Sequence, residues 1–126
     1  MENHKKEKNF SIIPRIKNSN HAWRGVILLL KTTPNIWTLT VFGALAVYLG
    51  VILKISSIEW AVIVLTIALV IVAEAINTAI EIDIDLTSPE YHPYARDTKD
   101  VAAGAVLLAT FAAAIIGLII FLPKIF

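Results

Sequence analysis

The amino-acid sequence predicts an all-α integral membrane protein with three transmembrane helices and an N-terminal interfacial amphipathic helix. Of its 126 residues, 57% are hydrophobic and only 17% are charged. A soluble domain of this size does not bury so large an apolar share, so lipid is the expected surrounding. Seven of the eleven Lys and Arg residues precede residue 32, and such a basic segment favours anionic lipid headgroups. The chain has no cysteine, which excludes disulfides and thiolate metal sites.

The N-terminal part of the chain is predicted to lie outside the bilayer core. Residues 1–18 are polar, contain Pro14 and show no sustained helical period, so they are predicted to be a flexible basic tail. Residues 19–126 are predicted to form a single membrane domain. Its first element is a helix over residues 19–32, in which basic residues flank an apolar stretch too short to cross a bilayer. A helix of this pattern lies in the membrane interface.

Three apolar segments are long enough to cross the membrane as helices. They are expected at residues 36–54, 58–86 and 99–122. The uncharged part of the first reaches ~27 Å at the ~1.5 Å rise of an α-helix, close to the ~30 Å of the hydrocarbon core. Because the link between the first two spans is short, these helices are expected to lie side by side and antiparallel. Three spans place the two termini on opposite sides of the membrane.

The orientation follows from the basic residues. The N-terminal segment and the loop between the second and third spans hold nine Lys and Arg residues, whereas Lys54 and Lys124 stand alone on the other side. Basic residues accumulate on the cytoplasmic side of membrane proteins. The N-terminus and that loop are therefore predicted to be cytoplasmic.

Polar side chains interrupt the second span near its cytoplasmic end. At ~100° per residue they share one face within a sector of roughly 100°, while Asp83 points the opposite way. Measured from Glu59 at the outer interface, this face begins ~22 Å along the helix and ends beyond the ~30 Å core. The shared face carries Glu74, Asn77, Thr78, Glu81 and Asp85.

The depth of Glu74 favours a functional role. A carboxylate within hydrocarbon costs several kcal/mol unless it is paired, protonated or open to a wet cavity, so Glu74 is expected to face protein. It is a candidate general base, and Glu81 and Asp85 could hold a divalent cation, for which Mg²⁺ is the natural choice. Two simpler interpretations remain for the rest of the face. Glu81, Asp83 and Asp85 could simply be charged residues at the solvated end of a long helix. Asn77 and Thr78 could serve helix packing.

The loop TSPEYHPYARDTKD offers parts for binding a phosphate. Asp97 or Thr98 is expected to cap the third span, and the start of that helix together with Lys99 would form an anion site. Tyr91 and His92 could stack on a nucleotide base, although an interfacial aromatic anchor is the alternative. No phosphate-binding glycine loop or kinase catalytic-loop motif is present. Any site for phosphoryl transfer must therefore be formed by residues of helices.

Two segments, AEAINTAIEIDIDL and EYHPYARDTKDVAAGAVLLA, resemble the signature of the small bacterial membrane diacylglycerol kinases and the related undecaprenol kinases. The resemblance covers about residues 21–122 and includes the Trp-Arg-Gly of the interfacial helix. It implies a homotrimer of three-span subunits in the bacterial cell membrane, with sites shared between neighbours. The implied activity is transfer of the γ-phosphate of MgATP to the hydroxyl of a lipid alcohol, in phospholipid or cell-envelope lipid metabolism. A nucleic acid is not an expected partner.

Position by position, the resemblance also implies roles for individual residues. Glu74 matches the general base, and Glu81 matches an acid that binds Mg²⁺. Trp23 and Glu74 are implied to contact the lipid substrate. The residues implied to bind ATP are Asn77, Glu81, Asp85, Glu90, Tyr91, His92, Lys99 and Asp100.

Three positions depart from the family pattern. Thr33 stands where a glutamate is usually the second protein ligand of the metal, Trp37 where an arginine is common, and His21 where a tyrosine is frequent. A neutral threonine hydroxyl is a poorer ligand for Mg²⁺ than a carboxylate. A catalytically weakened family member is therefore one alternative.

A second alternative is a small oligomeric ion or proton-coupled transport protein in which Glu74 is the intramembrane relay. A transporter usually holds its acid near the membrane midplane, whereas these acids crowd toward one interface. Their position favours transfer chemistry at the cytoplasmic surface. The sequence is compatible with either diacylglycerol or undecaprenol as the acceptor.

Overall fold

The computed structural model describes residues 12–126, with side chains from residue 18 onward, and this part of the chain is all-helical. The chain divides into two compact units between Lys31 and Thr32. The four helices of the described residues are α1 (Ile12–Thr32), α2 (Ile36–Ile52), α3 (Ser57–Thr87) and α4 (Pro93–Ile125).

Among the described residues, two or three helices are long and apolar enough to cross a membrane. Both α3, with 31 residues, and α4, with 33, are long and apolar enough. With its 17 residues, α2 counts only if residues 18–32 and α2 are taken together as one span. The all-α prediction is thus confirmed for the described residues, with two or three helices apolar enough to span a membrane, while the total of three spans remains a prediction.

In α1, the helix starts earlier than the sequence predicted. We expected it at residues 19–32, but it begins at Ile12, so part of the predicted flexible tail is helical. Pro14 did not stop the helix because it lies in the first turn, where the missing backbone N–H has no helical partner to lose. The predicted tail over residues 1–11 lies outside the described residues.

Helices α3 and α4 form an antiparallel pair that is linked by ion pairs at both ends. At the start of α3, the Ser56 hydroxyl accepts from the Glu59 N–H at 3.2 Å, and the Glu59 carboxylate accepts from the Ser56 N–H at 2.8 Å. The same carboxylate lies 3.1 Å from Lys124 in the last turn of α4. At the other end, Lys99 of α4 contacts Asp85 of α3 at 2.5 Å. These contacts fix which residues of the two helices face each other.

The start of α4 corrects a second prediction. We expected this span at residues 99–122 with Asp97 or Thr98 as its cap, but the helix begins at Pro93 and His92 is the cap. The His92 Nδ1 accepts a hydrogen bond from the Tyr94 N–H at 3.2 Å. Proline suits this place because its fixed φ fits a first helical position and it keeps the preceding residue extended. The other span ends differ from their predicted positions by at most three residues.

Helix α2 packs against α3 through small and apolar residues at the end far from the acidic face. Gly50 is buried, and a Cβ atom added there would lie 2.7 Å from the Trp60 ring. The absence of a side chain lets the two helices approach closely. Next to this contact lies the apolar core, formed by the buried residues Ile55, Ile63, Ile120 and Phe121.

Candidate active site

The polar face of α3 contains a buried acid. Glu74 is only 3% exposed, and Glu74 and Thr33 are the buried polar residues of the part of the chain that the structure describes. No described residue donates a hydrogen bond to the Glu74 carboxylate or forms an ion pair with it. Burial of such a group without a partner opposes folding, so its retention fits a role toward a bound molecule.

One turn further along α3, the side chains of Asn77 and Glu81 form a hydrogen bond. The Asn77 Nδ2 donates to the Glu81 Oε1 at 3.3 Å. The Asn77 Oδ1 is buried and has no hydrogen-bond partner among the described residues, whereas the Glu81 side chain is exposed. The face predicted from helical periodicity therefore passes from a buried acid through a half-buried amide to an exposed acid.

Thr33 reaches this face from the segment before α2. Its hydroxyl lies 3.0 Å from the hydroxyl of Thr78, and its carbonyl oxygen accepts from the Ile36 N–H at 3.2 Å. Thr78 lies four residues after Glu74 and three before Glu81, so it shares their side of the helix. The residue that replaces the expected glutamate is thus beside the acids, with its hydroxyl engaged by a second threonine.

A polar pocket forms where α3 ends and α4 begins. Its volume is about 240 Å³, and it is partly walled by the loop over residues 88–92. It brings together six of the residues that the sequence assigned to nucleotide binding: Asp85, Glu90, Tyr91, His92, Lys99 and Asp100.

The cation of this pocket is held differently from the prediction. Lys99 was expected beside a helix N-terminus, but α4 begins at Pro93, so Lys99 lies in the second turn. Its ammonium contacts the Asp85 carboxylate, and both side chains remain partly exposed, at 38% and 68%. The predicted anion site at a helix N-terminus is therefore wrong. What the pocket contains is a lysine on the side of α4, oriented by a carboxylate of α3.

Arg96 is a pocket residue that the sequence analysis missed. Its Nη1 donates to the Tyr91 hydroxyl at 3.0 Å, and its guanidinium carbon lies 5.9 Å from the Tyr91 ring centre. Its Nη2 also contacts the Asp97 carboxylate at 3.5 Å. Once α4 is known to begin at Pro93, Arg96 and Lys99 are three residues apart on one helix face. A correct prediction of where α4 begins would therefore have identified Arg96 as a pocket residue.

The buried acid and the loop pocket are two places in this structure. Asp85 lines the pocket, while Glu74, Asn77 and Glu81 do not. Among residues 18–126, whose side chains the structure describes, no three His, Asp or Glu side chains converge closely enough to hold a metal ion. Trp23, which was assigned to the lipid substrate, belongs to the other compact unit and is 68% exposed.

An apolar groove of about 520 Å³ lies between α2, α3 and α4. Its α3 wall includes Ile67, Val70 and Ile71, which lie three to seven residues before Glu74 and hence on nearly the same helix face. A second apolar cavity, of about 910 Å³, uses the other side of α3, including Ala73 and Ile76. The first groove is therefore the one that leads along the helix toward the buried acid.

Comparison with known proteins identifies the family. The sequence model for prokaryotic diacylglycerol kinase matches residues 20–121. The undecaprenol kinase of Bacillus subtilis is 39% identical over 108 residues, covering 86% of this chain and 88% of that protein. A diacylglycerol kinase of Synechocystis is 41% identical over 104 residues, covering 82% of this chain and 59% of that protein. A diacylglycerol kinase of Escherichia coli K12 is 29% identical over 100 residues, covering 79% and 82%.

These matches confirm the resemblance that was drawn from the motifs around Glu74 and Lys99. They support a lipid kinase, a family that implies a lipid substrate and a nucleotide phosphoryl donor. With the family model matching most of its length, the chain belongs to the prokaryotic diacylglycerol kinase family.

Proposed function

We propose that this protein transfers the γ-phosphate of MgATP to the hydroxyl of a membrane lipid alcohol, either diacylglycerol or undecaprenol. The observation that carries the proposal is the buried Glu74, which has no partner among the described residues and lies on the α3 face that also lines an apolar groove. An acid in this position suits a substrate that has an apolar tail and one reactive hydroxyl. Family membership and the polar loop pocket favour this activity over ion or proton-coupled transport.

The loop pocket is the proposed nucleotide site. Lys99 offers an ammonium to the phosphates and already contacts a carboxylate that an anion would have to replace or share. Tyr91 offers an exposed ring surface that is held by Arg96. Such a ring is suited to stacking on a base. We assign ATP to this pocket together with the predicted contacts of Glu90, His92 and Asp100.

The donor atoms on the α3 face fit a bound Mg²⁺ ion. Glu81 provides a carboxylate, and the buried Asn77 Oδ1 lacks a partner in the described chain. Mg²⁺ takes few protein oxygens and completes its shell with water and phosphate oxygens, so two such donors are sufficient. When bound, the ion would neutralise charge on the transferring phosphate.

In the proposed reaction, the γ-phosphoryl group moves from ATP to the lipid hydroxyl. The oxygen of the lipid hydroxyl forms a bond to the γ-phosphorus, and its proton passes to the Glu74 carboxylate. The bond between the γ-phosphorus and the bridging β–γ oxygen breaks, and ADP leaves. Since Glu74 is buried while the loop pocket is polar, we assign proton removal to the former and phosphate binding to the latter.

Assembly and location also belong to the proposal. We place the protein in the bacterial cell membrane as a homotrimer with a cytoplasmic N-terminus. The distribution of Lys and Arg residues supports this orientation. Many large apolar side chains are exposed on the single chain, including Phe42, Leu65 and Phe111, and these can face lipid or other subunits.

A parallel assay with two acceptors tests the activity. The full chain in detergent micelles receives MgATP labelled in the γ-phosphate, with diacylglycerol in one sample and undecaprenol in the other. We expect labelled product on at least one lipid, and a strong preference would identify the acceptor. Absence of product on both lipids, from folded protein that binds nucleotide, would contradict the proposed acceptors.

A further inference from the structure

We infer that the side-chain oxygen of Asn77 is the second protein ligand of the divalent cation bound at Glu81. This inference rests on the proposed function, because that function requires a divalent cation near the phosphates. It assigns the role of the family's usual glutamate to a residue of α3 and not to Thr33, which occupies that glutamate's place.

The first reason is the state of the Asn77 amide. Its Oδ1 is buried and has no partner among the described residues. A buried acceptor without a hydrogen bond destabilises the folded protein, and folded proteins contain few of them. A ligand that contacts this oxygen would remove that destabilisation, so the atom is suited to binding something that the chain itself does not supply.

The second reason is what lies beside it. The same amide group donates its Nδ2 to the Glu81 carboxylate at 3.3 Å, which holds the two side chains next to each other. When the amide turns so that its Oδ1 replaces Nδ2 beside this carboxylate, the two oxygens create a negative potential that favours a cation. Carboxylate and amide carbonyl oxygens are both hard ligands, the type that Mg²⁺ and Ca²⁺ bind.

The third reason is that Thr33 is already engaged. Its hydroxyl lies 3.0 Å from that of Thr78, and the residue is 6% exposed. This contact orients the Thr33 hydroxyl toward Thr78, and as a metal ligand Thr33 would offer only a neutral hydroxyl. The Asn77 Oδ1, by contrast, has no hydrogen-bond partner among the described residues.

A cysteine substitution provides a direct test because the chain has no cysteine of its own. Thiolate is a soft ligand that binds Cd²⁺ well, and the bond gives an ultraviolet charge-transfer absorption. We expect the purified Asn77→Cys protein in micelles to develop this absorption with Cd²⁺, and the additional change Glu81→Gln to weaken it. The matched control, Thr33→Cys, should show no such absorption at the same Cd²⁺ concentration.

A second measurement keeps the inference testable if the cysteine variant does not fold. Mn²⁺ binding is followed by electron paramagnetic resonance with the full chain in micelles. Asn77→Ala should weaken Mn²⁺ binding by about tenfold or more, the size of effect that ligand-shell changes produce, while Thr33→Val should leave it unchanged. The cadmium experiment separates direct ligation from mere orientation of Glu81, because orientation alone gives no thiolate absorption.

The outcomes distinguish this inference from the proposed function. Absorption with Thr33→Cys and none with folded Asn77→Cys would overturn the inference, as would unchanged Mn²⁺ binding by Asn77→Ala. If lipid is phosphorylated in either of those cases, the kinase assignment stands and only the ligand assignment falls. If both metal results are as expected but neither lipid is phosphorylated, the metal site stands and the acceptor assignment falls.

Discussion

At the scale of single residues, the polar face of α3 carries a gradient of exposure that suits a division of labour. Glu74 is buried, Asn77 is half-buried and Glu81 is exposed, although all three lie within two turns of one helix. Helical periodicity predicted their common face correctly. It could not predict that Thr33 would pair with Thr78, because that contact depends on how the segment before α2 meets α3.

Lys99 provides a prediction at the same scale. Lys99→Gln removes the pocket's ammonium, which contacts Asp85, and we expect it to weaken nucleotide binding by about ten- to a hundredfold, since a hydrogen bond to a charged group contributes about 1.5–3 kcal/mol. Calorimetry with a non-hydrolysable ATP analogue measures the change. Lys54→Gln, outside the loop pocket, is the matched control and should bind as the unsubstituted protein does. Equal affinity of the Lys99 and Lys54 variants would argue against nucleotide binding in the loop pocket.

At the scale of helices, the existence of the apolar elements was predictable and two of their starting points were not. Apolar composition alone located α2 and α3 to within two residues at each end. The start of α1 was placed too late because Pro14 was taken as an interruption, and that of α4 because Asp97 or Thr98 was taken as its cap. Pro14 and Pro93 both lie in the first turn, where proline is tolerated, so position within a helix decided their effect. Because α4 was predicted to start too late, Arg96 was not recognised as a residue of this helix that lines the loop pocket.

The contact between α2 and α3 gives a prediction at the helix scale. Gly50→Ala would bring a methyl group within 2.7 Å of the Trp60 ring, and we expect a loss of about 1–3 kcal/mol in the free energy of unfolding. Gly104→Ala is the matched control, because nothing lies within 4 Å of an added Cβ there. Loss of helicity in mixed micelles with increasing dodecyl sulfate measures both. Equal stability of the two variants would show that the helices do not approach as closely as described.

At the scale of the whole molecule, the distribution of basic residues and the antiparallel pair of α3 and α4 both support the proposed orientation in the membrane. Basic residues gather in the N-terminal segment and in the loop pocket, whereas the opposite end of α4 holds Lys124 paired with Glu59. The antiparallel α3 and α4 pair separates the loop pocket from Lys124 by the length of a membrane span. Oligomeric state was beyond what one chain's periodicity could predict, since exposed apolar residues suit lipid and protein neighbours equally.

The proposed orientation predicts where introduced cysteines can be labelled. Phe126→Cys should react with a membrane-impermeant maleimide added outside intact cells, because the end of α4 is placed on the outer side. Thr87→Cys, at the end of α3, should react only after the membrane is permeabilised. The native chain contributes no background because it lacks cysteine. The reverse labelling pattern would mean that the loop pocket faces away from the cytoplasm and its ATP.

The most direct test of the central claim is the turnover of Glu74→Gln compared with that of Asp83→Asn. Both changes neutralise one acid of α3, but Glu74 is buried whereas Asp83 is exposed. If Glu74 removes the proton of the lipid hydroxyl, Glu74→Gln should lower the rate of lipid phosphorylation by about 10²–10⁴-fold. Nucleotide binding should persist, and Asp83→Asn should remain active. Phosphorylation by Glu74→Gln at the rate of Asp83→Asn would contradict the assignment of Glu74 as the base.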